Sequence, residues 1–81
     1  MPKLKSDVSG SDLLKFFETH GFVLKRTKGS HVVLVRHAND QKQVLTIPNH
    51  KITPKGTLKA IMNQSEKYIS VDLLHEFLYT K

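Results

Sequence analysis

The sequence predicts an α+β domain in which helices cover one face of a three-stranded antiparallel sheet. Two apolar-rich runs, 22–28 and 31–37, flank the pair Gly29-Ser30, which is typical of a hairpin closed by a type II′ turn. A third short run at 43–47 is closed by Pro48, and such short connections favour an antiparallel meander. Apolar residues at helical spacing before and after the strands complete an α-β-β-β-α order with a short C-terminal helix.

Capping residues predict where the helices begin and end. Ser9 is a natural N-cap with Asp12 in the capping-box position, and Gly21 is a natural stop for the first helix. The pair Thr53-Pro54 reads as an N-cap followed by a proline in the first turn, and Ser70 is suited to cap the last helix. The predicted helices span residues 10–20, 54–63 and 71–79.

The length of 81 residues indicates a single domain, with residues 1–8 predicted as a loose tail and residues 9–79 as the folded part. The chain has no cysteine, which excludes disulfides and a thiolate nucleophile and fits the reducing cytoplasm. No signal peptide or membrane-spanning run is predicted, so we expect a cytoplasmic protein without membrane contact. The net charge of +6 by itself makes nucleic acid, an anionic membrane surface or an acidic protein a candidate partner, although dispersed surface lysines are also common on other proteins.

The two-residue turn also predicts how the first two strands pair. The expected cross-strand pairs are Lys28 with His31, Arg26 with Val33, Leu24 with Val35, and Phe22 with His37. Because side chains alternate along a strand, all four pairs share one sheet face, whose apolar part is predicted to pack against the helices. Lys28 and His31 would then lie at the rim of the covered face, beside the helices.

The basic tip of this hairpin is the strongest candidate for chemistry. His31 follows a tight turn, and its predicted neighbour Lys28 has its Cβ atom roughly 5 Å away. An imidazole can take a proton from a ribose 2′-hydroxyl, while Lys28 and Arg26 hold the phosphate and stabilise the charge that develops on it. The Ser30 side chain and the Gly29 amide are placed to assist. From the residues alone a structural role for His31 stays open, because a lone histidine in a hairpin is more often structural than catalytic.

No metal or cofactor is predicted for this chemistry. The nucleophile would belong to the substrate, and the chain lacks cysteine and the histidine or carboxylate spacings of metal sites. The sequence also lacks a nucleophile elbow, a P-loop and a dinucleotide fingerprint. The remaining histidines are predicted to be surface or capping residues; they are His20, His37, His50 and His75.

Four short motifs, in this order and spacing, resemble the HicA toxin family. They are Gly21-Phe22, Arg-Thr-Lys-Gly-Ser-His at 26–31, Ile-Pro-Asn-His at 47–50 and Lys-Gly-Thr-Leu-Lys-Ala-Ile at 55–61. HicA proteins are small mRNA interferases with a fold like that of double-stranded-RNA-binding domains, which share the α-β-β-β-α order. The resemblance therefore implies a toxin of a type II toxin–antitoxin system that cleaves mRNA as an endoribonuclease.

The resemblance also implies particular residue roles and a partner. The resemblance implies a single catalytic histidine, which falls on His31. The family's Pro-x-His and Gly-Thr-Leu motifs fall on 48–50 and 56–58, which we expect to be structural or to position RNA, and not to be catalytic. A cognate HicB-like antitoxin is expected to cover the active site. Two other functions stay open: a non-catalytic RNA-binding module of the same fold, and an interaction domain whose basic surface serves only a protein partner.

Overall fold

The computed structural model describes residues 2–80 and confirms the predicted α+β architecture. Its elements are α1 (Gly10–Thr19), β1 (Val23–Lys28), β2 (His31–Ala38), β3 (Gln41–Pro48), α2 (Lys55–Ser65) and α3 (Val71–Leu78). The strands form one antiparallel sheet in the order β1-β2-β3. No helix within the described residues is both long enough and apolar enough to span a bilayer.

The predicted capping box at the start of α1 is present. The Asp12 backbone N–H donates to the Ser9 hydroxyl at 3.0 Å, and the Ser9 backbone N–H donates to the Asp12 carboxylate at 3.1 Å. Hydrogen bonds from the Ser9 backbone, and then from its side chain, hold the pKa of the Asp12 carboxyl below its ordinary value. The predicted N-cap of α2, Thr53, is wrong by one residue, because the N-cap is Pro54. The buried Thr53 hydroxyl has no hydrogen-bond partner within residues 2–80.

Both β-turns contain two residues. Gly29 has a φ of 60°, the positive value that the predicted turn between β1 and β2 requires. Asn39 and Asp40 have φ values of 54° and 62°, which is typical of a type I′ turn between β2 and β3. Because this second turn is so short, β3 runs the full length of β2 and ends with Pro48 opposite His31.

The helices cover the opposite hairpin face from the one predicted. The buried cross-strand pairs are Val32 with Ile47 and Leu34 with Leu45, each residue at most 2% exposed. By contrast, Leu24 is 47% exposed and Val33 is only half-buried. The third strand decides between the two faces, because its leucine and isoleucine pair with Val32 and Leu34 and supply the larger apolar area.

A β-bulge changes the pairing at the far end of the hairpin. The predicted pairs of Lys28 with His31 and of Arg26 with Val33 are confirmed. The register then shifts between Leu24 and Arg26, so Leu24 pairs with Leu34 rather than Val35. The expected pair of Phe22 with His37 does not form, since Phe22 precedes β1 and is buried in the core.

The N-terminal segment is packed against the domain, so the expectation of a loose tail is wrong for residues 3–8. Leu4 and Val8 belong to the hydrophobic core, and Leu4 forms a β-bridge with Tyr79. Farther along, the Thr53 N–H donates to the Val8 carbonyl oxygen at 2.7 Å. These contacts connect the start of the chain to the loop between β3 and α2 and to the end of α3.

Arg36 connects four parts of the fold on the helix side of the sheet. Its guanidinium donates to the Gln43 side-chain oxygen and to the carbonyl oxygens of His20 and Tyr68, at 2.7–2.8 Å. It also lies over the Phe22 ring, 4.7 Å from its centroid. Arg36 therefore has a structural role, and it lies toward the end of β2 that is farthest from His31.

Candidate active site

The site residues predicted from the hairpin lie on the face of the sheet that no described helix covers, which we call the open face. Lys28 and His31 are cross-strand partners there, and Arg26 pairs with Val33 one step along the same strands. Their predicted place at the rim of the covered face is therefore wrong, for the reason given above for Val32 and Leu34. The open location leaves these side chains more accessible than expected.

The two short strands hold three exposed groups close together at the hairpin tip. Lys28 and His31 flank the two-residue turn, where paired Cα atoms lie about 5.5 Å apart. Arg26 is the diagonal neighbour of His31, at about 7–8 Å. All three side chains are exposed. A phosphate above the open face can therefore contact two fixed cations and an imidazole at once.

Gly29 and Ser30 form the turn beside these groups. Both residues are exposed, and a Cβ atom placed on Gly29 would meet no other atom within 4 Å. The Ser30 carbonyl oxygen accepts a 2.6 Å hydrogen bond from the Asn49 N–H. The backbone of the turn is thus tied to the loop that follows β3, while the Ser30 hydroxyl and the Gly29 amide remain at the surface.

The structure brings a second motif, Pro48-Asn49-His50, against the hairpin tip. Pro48 is the cross-strand partner of His31. The His50 N–H donates a hydrogen bond to the Pro48 carbonyl oxygen at 3.2 Å. Sequence reasoning did not place this loop beside His31. The signal was the Asn39-Asp40 pair, because a two-residue turn there sets the register that puts Pro48 opposite His31.

The first turn of α1 supports this loop from the other side. The Gly10 N–H donates to the His50 carbonyl oxygen at 2.8 Å. A Cβ atom on Gly10 would overlap the Asn49 side chain and lie 2.7 Å from its Cα atom, so only glycine allows this close approach. The loop is therefore held between the hairpin tip and the helix.

The charge of the chain is strongly asymmetric around this site. Residues 21–65, which hold the sheet and α2, contain eight Lys and Arg but a single acid, Asp40. Arg36 is used internally, and the others line the strands, the following loop and α2. Within residues 2–80 no group of three His, Asp or Glu side chains is arranged to hold a metal ion. Because cations far outnumber acids in this part of the chain, the surface around His31 suits a polyanion.

The other predicted surface histidines lie in different surroundings. His20 caps the C-terminus of α1, with its ring 4.6 Å from that of Phe16. His37 pairs with Lys42 at the far end of β2, and the His75 ring lies 4.7 Å from that of Tyr79. None of these three is part of the hairpin tip.

The fold and site together define a small α+β domain that presents an exposed histidine beside two cations at the tip of a hairpin. A family model described as "HicA toxin of bacterial toxin-antitoxin" matches residues 10–66, from α1 to the end of α2. Since this match covers more than half of the chain and every predicted site residue, the chain belongs to the HicA toxin family. No curated protein and no solved structure matches it.

Membership of this family gives the chain the role of a toxin in a toxin–antitoxin system. HicA toxins are generally RNase-type toxins, and the system implies a HicB-type antitoxin partner. The predicted family and element order are both confirmed.

Proposed function

We propose that this toxin is a metal-independent endoribonuclease that cleaves mRNA in the cytoplasm and uses His31 for proton transfer. The observation that carries the proposal is the pairing of His31 with Lys28, next to Arg26, on the open face. An exposed imidazole beside two cations can approach a ribose and its phosphate together. A binding module would need the cations but not the imidazole.

The proposed reaction takes its nucleophile from the RNA. His31 exchanges a proton with the reacting oxygens while the 2′-oxygen attacks the neighbouring phosphorus. The bond to the 5′-oxygen breaks, which leaves a 2′,3′-cyclic phosphate and a 5′-hydroxyl. Lys28 and Arg26 stabilise the extra negative charge on the phosphate in the transition state, with help from the Ser30 hydroxyl and the Gly29 amide.

Replacement of Lys28 tests whether the cations serve the phosphate. We expect Lys28→Ala to lower RNA affinity and cleavage together, with cleavage falling about 10- to 100-fold because one donor to the developing charge is lost. The slope of log affinity against log salt concentration is negative, and it should become shallower by about 0.7, the value for one phosphate contact on a single strand. Binding is measured with RNA whose scissile ribose is 2′-deoxy, so that it is not cut.

The matched control is Lys67→Ala. Lys67 follows α2 beside Tyr68, whose carbonyl oxygen binds Arg36 at the far end of the sheet. The Lys67→Ala variant should have the wild-type RNA affinity, salt dependence and cleavage rate. Lys25 is nearer to the site but lies in the bulge of β1, so it is unsuitable as a control. Equal losses from Lys28→Ala and Lys67→Ala would show that RNA binding depends on the net charge of the protein and not on a local contact between Lys28 and the phosphate.

We also propose that the HicB-type antitoxin covers the open face around His31. The support is that this face is exposed, basic and largely free of carboxylates, which suits an acidic partner. A covering partner competes with RNA for the same groups. Adding the antitoxin to the toxin bound to fluorescent, uncleavable RNA should release the RNA in a one-to-one titration. A stable ternary complex would contradict this arrangement.

A further inference from the structure

Cleavage of RNA by its own 2′-hydroxyl involves two proton transfers on opposite sides of the phosphorus. One group removes the proton of the 2′-hydroxyl as the new P–O bond forms, and another gives a proton to the 5′-oxygen as its bond to phosphorus breaks. A single imidazole can serve only one side within one step. The hairpin supplies one imidazole and two cations that are assigned to the phosphate, so a second imidazole from another element would complete the pair of proton-transfer groups.

The loop after β3 places a second histidine, His50, two residues after the cross-strand partner of His31. Pro48 pairs with His31, which places their Cα atoms about 4.5–5.5 Å apart. The next residue is joined to the turn by the 2.6 Å hydrogen bond from the Asn49 N–H to the Ser30 carbonyl oxygen. The hydrogen bond from the His50 N–H to Pro48 then closes a tight turn, so His50 stays close to Pro48.

The backbone of His50 is fixed while its side chain is free. Its carbonyl oxygen accepts from the Gly10 N–H at 2.8 Å, and its N–H is used in the turn. The residue is exposed, and no side-chain hydrogen bond involving it is found within residues 2–80. A fixed backbone with an exposed side chain leaves the His50 imidazole available to a bound RNA.

The other titratable groups are less suited to this task. His37 lies six residues from His31 along β2, or about 20 Å, and His20 is at the same distant end beside Arg36. The charged side chains on the segments that contact the loop are Lys28, Lys51, Asp7 and Asp12. Of these, Lys28 serves the phosphate, Asp12 is engaged in the capping box, and Asp7 lines a groove with Lys15 and Phe77. Lys51, next to His50 in the loop, adds a further cation for the polyanion.

We propose that His50 is the second proton-transfer residue of the RNA cleavage site and acts together with His31. This inference rests on the proposed endoribonuclease function and adds a catalytic residue to it. One imidazole takes the 2′-hydroxyl proton and the other protonates the departing 5′-oxygen, so the two exchange protonation states during each cleavage. Cleavage therefore falls at both low and high pH, because one imidazole must be neutral and the other protonated.

The test is the pH dependence of single-turnover cleavage by the wild type, His31→Ala, His50→Ala and His50→Gln. We expect both His50 variants to lose about 10²- to 10⁴-fold and to lose one limb of the pH profile while the other remains. His31→Ala should lose the opposite limb. His37→Ala, on the same sheet face, is the control and should retain the rate and both limbs.

A second substrate separates catalysis from positioning. With sulfur in place of the bridging 5′-oxygen, the leaving group departs without a proton, so the loss caused by removing the acid should shrink to less than about 10-fold. We expect this rescue for one of the two histidines and not for the other, which also identifies the acid. Uncleavable RNA should bind both His50 variants with wild-type affinity.

The outcomes distinguish this proposal from the function on which it rests. An inactive wild type overturns both. An active wild type with an inactive His31→Ala and a fully active His50→Ala overturns only the role of His50. A uniform loss in the His50 variants, with the full pH profile kept and no sulfur rescue of either histidine variant, would assign His50 a structural role and refute the proposal.

Discussion

Replacing His31 with alanine is expected to abolish growth arrest in cells and to slow RNA cleavage by about 10²- to 10⁴-fold in the purified protein. The residue is exposed and lies outside the core, so its removal should leave the fold intact. The rate is measured as single-turnover cleavage of a labelled RNA. Circular dichroism and thermal unfolding of the same preparation check the fold.

The control for this experiment is His37→Ala. His37 is also exposed and lies on the same face of β2, but it pairs with Lys42 at the other end of the strand. It should cleave at the wild-type rate. Wild-type cleavage by folded His31→Ala would refute the catalytic role of His31, while loss of folding in that variant would favour a structural role.

A single 2′-deoxyribose at the scissile position should abolish cleavage and leave binding unchanged. The substitution removes the proposed nucleophile but keeps the phosphate that Lys28 and Arg26 contact. After the cleavage position has been mapped with ordinary RNA, two matched substrates are compared. One carries the deoxyribose at that position, and the control carries it one nucleotide away.

The control RNA should be cut normally, and both RNAs should bind with equal affinity. Cleavage of the first substrate at the mapped phosphate would show that the attacking oxygen does not come from the RNA. Weaker binding of that substrate would instead indicate that the 2′-hydroxyl is recognised as part of the binding site.

The secondary structure was predictable because its signals are local. The Ser9 and Asp12 capping box and the Gly29 turn each depend on a few neighbouring residues, and all are present as expected. Residues 3–8 were not predictable in this way. Leu4 and Val8 carry no periodic pattern, and their contacts, such as those with Tyr79 and Thr53, come from distant parts of the chain.

The covered face of the sheet required information from the third strand. Within the hairpin, the alternating sets Val33 with Val35 and Val32 with Leu34 are similarly apolar, so the hairpin alone does not decide. Pairing with β3 does decide, because Val33 is opposite Thr46 whereas Leu34 is opposite Leu45. The bulge after Leu24 gave no recognised signal in the sequence.

The candidate site was predictable near the turn and not beyond it. A two-residue turn fixes the pairs closest to it, so Lys28 lies opposite His31 as expected. The position of His50 depends on the register between β2 and β3 and on the hydrogen bond from Asn49 to Ser30. These contacts join residues about 20 positions apart, which residue spacing alone does not reveal.

The chemical ends of the RNA fragments test the central claim of metal-independent cleavage through the 2′-oxygen most directly. Purified toxin is incubated with RNA in excess EDTA, and both new ends are identified by mass spectrometry. The proposed mechanism predicts undiminished cleavage that leaves a 2′,3′-cyclic phosphate and a 5′-hydroxyl. Fragments with a 5′-phosphate, or activity that disappears in EDTA and returns with Mg²⁺, would contradict it.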